Sequence, residues 1–353
     1  MFRIIAYALL IVLAALAPTS PCAAAAESLA AYASAQGSAR LADGRTIHIV
    51  CMGKGSPVVI LTAGAGDWSF TWDKVQLRIA EKTRVCAWDR AGFGLSFPAP
   101  RPQTVDQRTT DLQDALKTSG IEGPYVLVGH SLGSYESLVF KDREPRNVTG
   151  MVLVDPSYPG QFDVLERIAP LTIAWLVSQA SPSINFFRTC AADVRAGTVW
   201  KGKPDPKGCM KPPRPGTLPA ELRTALDNAQ IEAGPESYAN LFDTQTALQS
   251  MLLLKVDSSL VMNPSRSYGD MPLVVLTAGE DDSLPRGAPT KAVAETPKRS
   301  AQWRSEHEVL ASLSTRGVNR SVPGTSHFIQ QLKPQAVIDA VNEVVDQARQ
   351  TDQ

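Results

Sequence analysis

The chain has 353 residues, with 35 Lys+Arg against 35 Asp+Glu, 44% hydrophobic residues and 20% charged ones. That length supports one large domain or two of modest size with a sizeable core, and the composition excludes disorder and fibrous repeats. A zero net charge argues against a nucleic-acid partner, which needs a basic face for phosphates, and the four histidines, His48, His130, His307 and His327, lack metal-ligand spacing, so a zinc enzyme is not expected.

Residues 1–26 read as a cleavable secretory signal. Arg3 precedes an apolar run of about 14 residues, and several A-x-A options end at Ala25 or Ala26. The run falls short of the ~20 residues that span a bilayer. Cys22 is not preceded by the small-apolar pattern that lipid modification wants. The expectation is therefore a secreted or periplasmic protein, which places Cys51, Cys86, Cys190 and Cys209 in an oxidising compartment. Cys190 and Cys209 flank a Pro/Gly/Lys-rich stretch, and a bridge there would close a loop of about 20 residues, worth roughly 3 kcal/mol in the chain-entropy model. Cys51 and Cys86 lie on strand-like segments and read equally as a bridge or as buried thiols.

In chain order, β-branched apolar runs at 46–50, 57–62, 84–88, 124–129, 151–154 and 272–277 predict strands, several covered on both faces of a parallel sheet. Helical spacing appears at 70–81, at 105–118 with Thr104 as its cap, at 134–141, at 302–313 and at 337–348. Strand–helix alternation of this kind predicts an α/β sheet with helices on both faces. From 157 to 269 the alternation stops. Helical patterns at 162–179, 219–231 (Thr217 a capping candidate) and 236–255 surround a Pro-rich loop. About 110 residues is too long for a loop, so this stretch is expected to be a helical cap over the carboxyl edge of the sheet. The expected organisation is a signal at 1–26, core at 27–156, cap at 157–269 and core again at 270–353.

The string Gly129-His-Ser-Leu-Gly133 follows an apolar strand and opens a helix. A serine on such a strained turn presents its hydroxyl at the sheet's carboxyl edge, and side chains at the two glycines would collide with neighbouring backbone. Ser131 is thus the candidate nucleophile; the alternative is a tight turn with a capping serine. It needs a base. His130 is adjacent on the turn, His48 is in an early strand and His307 is mid-helix. His327 lies in a loop between the last strand and the closing helix, and is the candidate base.

With Ser131 and His327 in place, residues 40 to 350 resemble the α/β-hydrolase fold superfamily. Asp89-Arg-Ala-Gly-Phe-Gly-Leu-Ser96 is similar to its D-R-x-G-x-G-x-S loop, and Pro334-Gln-Ala-Val337 to its closing P-x-x-V helix. The resemblance implies a mostly parallel eight-stranded sheet with the cap inserted after the sixth strand. It also implies an acid between Ser131 and His327 in the chain. Asp282, after the seventh strand, holds the usual place, although 45 residues separate it from His327. Asp155, after the sixth strand, is the alternative, and Asp281 a third choice. The implied oxyanion donors are the backbone amides of Leu132 and Ala65. The loop 62–66 carries Ala63 where histidine is usual, which leaves its bracing open.

A serine at the turn disfavours the epoxide hydrolases and dehalogenases that resemble this fold but use aspartate there. The leading expectation is hydrolysis of a small carboxylic ester through an acyl-serine, with no metal or organic cofactor. The alternatives are an amide or peptide hydrolase similar to proline iminopeptidases, for which Glu221, Glu232 and Glu236 of the cap could hold an amino terminus, and an inactive binding protein. The apolar stretch 170–177 reads as the cap's face against the core or as a lid meeting a lipid interface.

Overall fold

A computed structural model of the chain describes residues 30–34, 37–210, 218–254, 261–280 and 287–351. The expected signal, Thr217, Asp281 and Asp282 lie outside these. Strands β1 (Ala39–Arg40) and β2 (Thr46–Ile47) form a two-stranded ribbon. The main sheet contains β3 (Ile49–Met52), β4 (Val58–Thr62), β5 (Val85–Trp88), β6 (Tyr125–His130), β7 (Val148–Val154), β8 (Leu273–Ala278) and β9 (Gly317–Val322), in the order β3-β5-β4-β6-β7-β8-β9. Only β3 runs antiparallel. The sheet thus has seven strands among the described residues rather than eight. The run at 46–50 breaks at His48, whose ring is drawn to Asp89, so residues before it pair in the ribbon and those after it in the sheet.

Period-two alternation divides the strand residues into two cores. Ile60, Leu127, Met151, Leu153 and Val275 face helices α2 (Val105–Thr118), α3 (Gly133–Arg143) and α9 (Thr296–Ala311) through Leu112, Leu138 and Leu310. Leu61, Val128, Val152, Val154 and Leu276 face α1 (Asp73–Ala80) and α11 (Pro334–Thr351) through Ile79, Val341 and Val344. Burial on both faces explains why the central strands read as continuous apolar runs. Helix α2 starts at Thr104 in a capping box closed by Gln107.

Between β7 and β8 the described residues hold four helices, α4 (Gln161–Ile168), α5 (Pro170–Arg195), α6 (Ala220–Glu232) and α7 (Gly234–Leu254), and no strand. The single helix expected at 162–179 is two, divided at Ala169. Pro170, which has no N–H to donate, opens the second helix. The Cys190–Cys209 disulfide ties the end of α5 to the following loop, and a small core of Val194, Tyr238 and Phe242 packs around it. Cys51 and Cys86 are also bridged, across register-paired positions of β3 and β5. Among the described residues no helix is long and apolar enough to cross a membrane. Two short helices, α8 (Thr290–Val293) and α10 (Ile329–Leu332), complete the fold.

Candidate active site

Strand β6 enters a turn that opens α3, and Ser131 sits on it with φ +51°. Non-glycine residues rarely occupy this region. The turn is tight because nothing larger than hydrogen fits at its flanks. A Cβ on Gly129 would lie 2.7 Å from the Gly133 oxygen, and one on Gly133 would lie 2.5 Å from the Thr62 oxygen. The Ser131 amide donates to Val154 O of the neighbouring strand at 3.0 Å, so the end of β7 abuts the serine turn.

That adjacency puts Asp155 at the site. Ser131, Asp155 and His327 line one cavity of about 510 Å³. His327 Nδ1 donates to Asp155 Oδ2 at 2.7 Å. The other carboxylate oxygen accepts from the Ala278 amide at 2.9 Å and from the Trp303 indole N–H at 3.0 Å. Burial works to raise the Asp155 carboxyl, but the His327 hydrogen bond, the neighbouring imidazoles and the Ala278 amide outweigh it and hold the group below its ordinary value. Asp282, the first placement expected for the acid, is outside the described residues. The carboxylate on His327 is Asp155, the second placement.

The other histidines have different work. His130 Nε2 donates to the His327 carbonyl at 2.9 Å, and its ring packs 4.7 Å from that of His327. Burial first, then the His327 charge, pushes it down to about 3, so it is neutral. His307 is buried in α9 between Thr277 Oγ1 and the Pro156 carbonyl. His48 contacts Asp89 Oδ2 at 2.7 Å and the Ser34 carbonyl at 2.9 Å. This second His–Asp pair matches the first in length, but neither of its members lines the cavity.

Three contributors were not singled out by the sequence. Trp303 orients the Asp155 carboxylate; its one signal is its place four residues before His307 on a helix face. Arg90, in the D-R-x-G-x-G-x-S loop, donates to Gly64 O at 2.9 Å, Ala63 O at 2.6 Å and Glu136 Oε1 at 2.8 Å. Glu136, fully buried on α3, is itself 3.1 Å from Arg108 Nε. Burial would raise its carboxyl, but the two guanidiniums hold it below the ordinary range. The Arg90–Glu136 pair therefore braces the loop that carries Ala63 in place of histidine.

Leu165, Ile173 and Leu176 of the helical insertion form an apolar wall of the cavity, while Arg299, Ser300 and Arg304 of α9 form a polar one. Of the apolar stretch 170–177, Thr172, Ile173 and Leu176 face the cavity and Leu171 is exposed. Neither Glu221, Glu232 nor Glu236 lines it, and Glu236 Oε1 is held by Arg195 at 3.1 Å. Among the described residues no cluster of His, Cys, Asp and Glu has metal-holding geometry.

A sequence profile described as the Alpha/beta hydrolase family matches residues 58–340. The uncharacterised Bacillus subtilis protein YqjL is 30% identical over 105 residues, covering 30% of this chain and 42% of that protein. A Gibberella zeae protein named as an AB hydrolase superfamily member is 34% identical over 103 residues, covering 28% of this chain and 32% of its own length. The chain thus spans less than half the length of these curated relatives. Among solved structures, a metagenomic epoxide hydrolase of the alpha/beta hydrolase superfamily superposes with TM-score 0.56 at 20% identity, covering 87% of this chain and 97% of that one. A bacterial membrane phospholipase A superposes with TM-score 0.54 at 16% identity, covering 92% and 89%. At such identities the superpositions speak for the fold alone.

Proposed function

The chain belongs to the alpha/beta hydrolase family, and from that membership we propose that it is a serine hydrolase cleaving a carboxylic ester through an acyl-serine intermediate. The observation that carries this reading is the His327–Asp155 hydrogen bond at a cavity bordered by Ser131 on its strained turn.

In this reading the Asp155 contact fixes the proton on His327 Nδ1, leaving Nε2 as the base. Ser131 Oγ bonds to the ester carbonyl carbon as its proton passes to Nε2. The carbonyl oxygen becomes an oxyanion held by the amides of Ala65 and Leu132. Collapse breaks the bond to the alkoxy oxygen, which leaves as the alcohol with the Nε2 proton. Water, deprotonated by His327, then attacks the acyl carbon and releases the acid and Ser131. Asp155 stays ionised and stabilises the imidazolium. Amide hydrolysis has less support, because the glutamates that would hold an amino terminus are away from the cavity. Export is part of the proposal, and the two disulfides support it.

The test is hydrolysis of p-nitrophenyl esters from acetyl to palmitoyl. The wild type should cleave at least the short ones, with Ser131→Ala losing the activity. Hydrolysis that survives in Ser131→Ala would sink the mechanism. Labelling of Ser131 by a fluorophosphonate without ester cleavage would redirect it to amides.

A further inference from the structure

The amides expected to hold the oxyanion belong to peptide groups whose carbonyl ends are both occupied from behind. Conjugation couples the C=O and N–H of one peptide unit. A donor placed on the oxygen therefore draws density from the nitrogen and strengthens that N–H as a donor, the origin of cooperative hydrogen bonding. The Ala65 N–H shares its peptide with the Gly64 carbonyl, which accepts from Arg90 Nη1 at 2.9 Å. The Leu132 N–H shares its peptide with the Ser131 carbonyl. That oxygen accepts from the Ser157 amide at 2.9 Å and the Ser134 amide at 3.1 Å, and it lies 2.7 Å from Ser134 Oγ. Ser134 Oγ shares its proton with Ser157 O at 2.6 Å.

Resting on the serine-hydrolase reading above, we propose that Arg90 and Ser134 are positioning residues that polarise and orient the two oxyanion donors from the side away from the substrate. Arg90 is the stronger arm. Its donor is charged, which makes such a bond roughly twice as strong as a neutral one. It is 3% exposed, so solvent screens it little. With Nη1 on Gly64 O, Nη2 on Ala63 O and Nε on Glu136, the planar fork has three fixed contacts, so the peptide that carries the Ala65 N–H cannot rotate without breaking its own bond to the held guanidinium. Glu136 belongs to α3, the helix that the serine turn opens, so one side chain locks the nucleophile's helix to the loop facing it. Ser134 serves the other donor more weakly, through a shared hydroxyl proton.

The role predicts an effect on the transition state and not on ground-state binding, because the oxyanion exists only after attack. Deleting an oxyanion donor costs about 10²–10³ in kcat. Weakening one should cost less, about 10-fold for Arg90→Gln and about 3-fold for Ser134→Ala. The experiment measures kcat and KM on p-nitrophenyl butyrate, together with inhibition by an alkyl trifluoromethyl ketone, whose serine hemiketal places a real oxyanion in the hole. Expected are KM values within about twofold of wild type and ketone affinities that weaken by the same factor as kcat/KM. Where Arg90→Gln does not fold, Arg90→Lys, which keeps a cation beside Glu136 but loses the fork, and Ser134→Ala carry the test. Unchanged kcat, or a loss matched by the unfolded fraction with normal ketone affinity, overturns the proposal while leaving the hydrolase reading intact. A wild type that cleaves no ester and takes no fluorophosphonate overturns both.

Discussion

Ser131 and Asp155, with φ of +51° and +40°, are the non-glycine residues in the left-handed region among the described residues. Strained backbone persists only where its surroundings over-determine it, and here it is tied through the Ser131 amide on Val154 O and the Asp155 amide on Leu276 O. Two strained residues at adjacent strand ends, sharing one cavity with His327, make Asp155 the acid to test. Asp155→Asn should lower kcat about 10⁴-fold, since the amide favours the wrong imidazole tautomer. Asp282→Asn should leave it within about twofold. A reversed ranking in steady-state kinetics would return the role to Asp282. The nucleophile could be read from the chain because its geometry forces glycines at fixed offsets. The acid could not, because which strand end meets His327 depends on sheet order, and both candidate aspartates follow a strand. Trp303 was further out of reach: a tryptophan inside a largely polar helix gives no sign of where its indole N–H points.

At the scale of elements, burial on two faces made the central strands readable, whereas β9 escaped the apolar-run criterion. It is an edge strand with one neighbour, and its residues Asn319, Arg320 and Ser321 are polar or exposed. The boundary at Ala169 was missed for another reason. Apolar spacing continues on both sides of it, and only the missing N–H of Pro170 marks the new helix. The insertion depends more on its disulfide than the sheet does, because the core around Cys190 and Cys209 is small. Replacing both by serine removes a cross-link of 19 residues. In the chain-entropy model this costs about 3 kcal/mol. Urea melts should show that loss in the double variant, and reduction of the wild type should reproduce at least as large a fall. A double variant as stable as wild type would mean that helix packing alone holds the insertion.

For the molecule as a whole, buried ionisable groups set the direction in which acid acts. Asp155 and Glu136 titrate below their ordinary range, so the stability they contribute is full above that range and is lost as pH falls through their folded values. His130 acts earlier. Its ordinary value is 6.5 and burial pushes it down to about 3, so between these the unfolded chain binds a proton that the folded one refuses. Folding stability must then fall with pH by up to roughly 1.4 kcal/mol per unit below about 6.5, and be unaffected by this group above it. His307, also lowered by burial, adds to the same slope. His48 opposes it. Burial, the largest single influence, lowers it, but the Asp89 charge and the hydrogen bonds to Asp89 and the Ser34 carbonyl together outweigh burial and raise it, so its contribution is present at low pH and fades as pH rises through its folded value. His130→Gln separates the terms, since a glutamine amide can still reach the His327 carbonyl but cannot take up the proton. Urea unfolding from pH 4.5 to 8 should give similar stabilities for the two proteins at pH 8, and a steeper acid loss for wild type, with the gap widening by about 1 kcal/mol per unit below pH 6.5. Parallel curves would mean that His130 takes up its proton as readily in the fold as in the unfolded chain. In that case its ring would be charged against His327 below about pH 6.5, and the base of the proposed reaction would face a positive neighbour there.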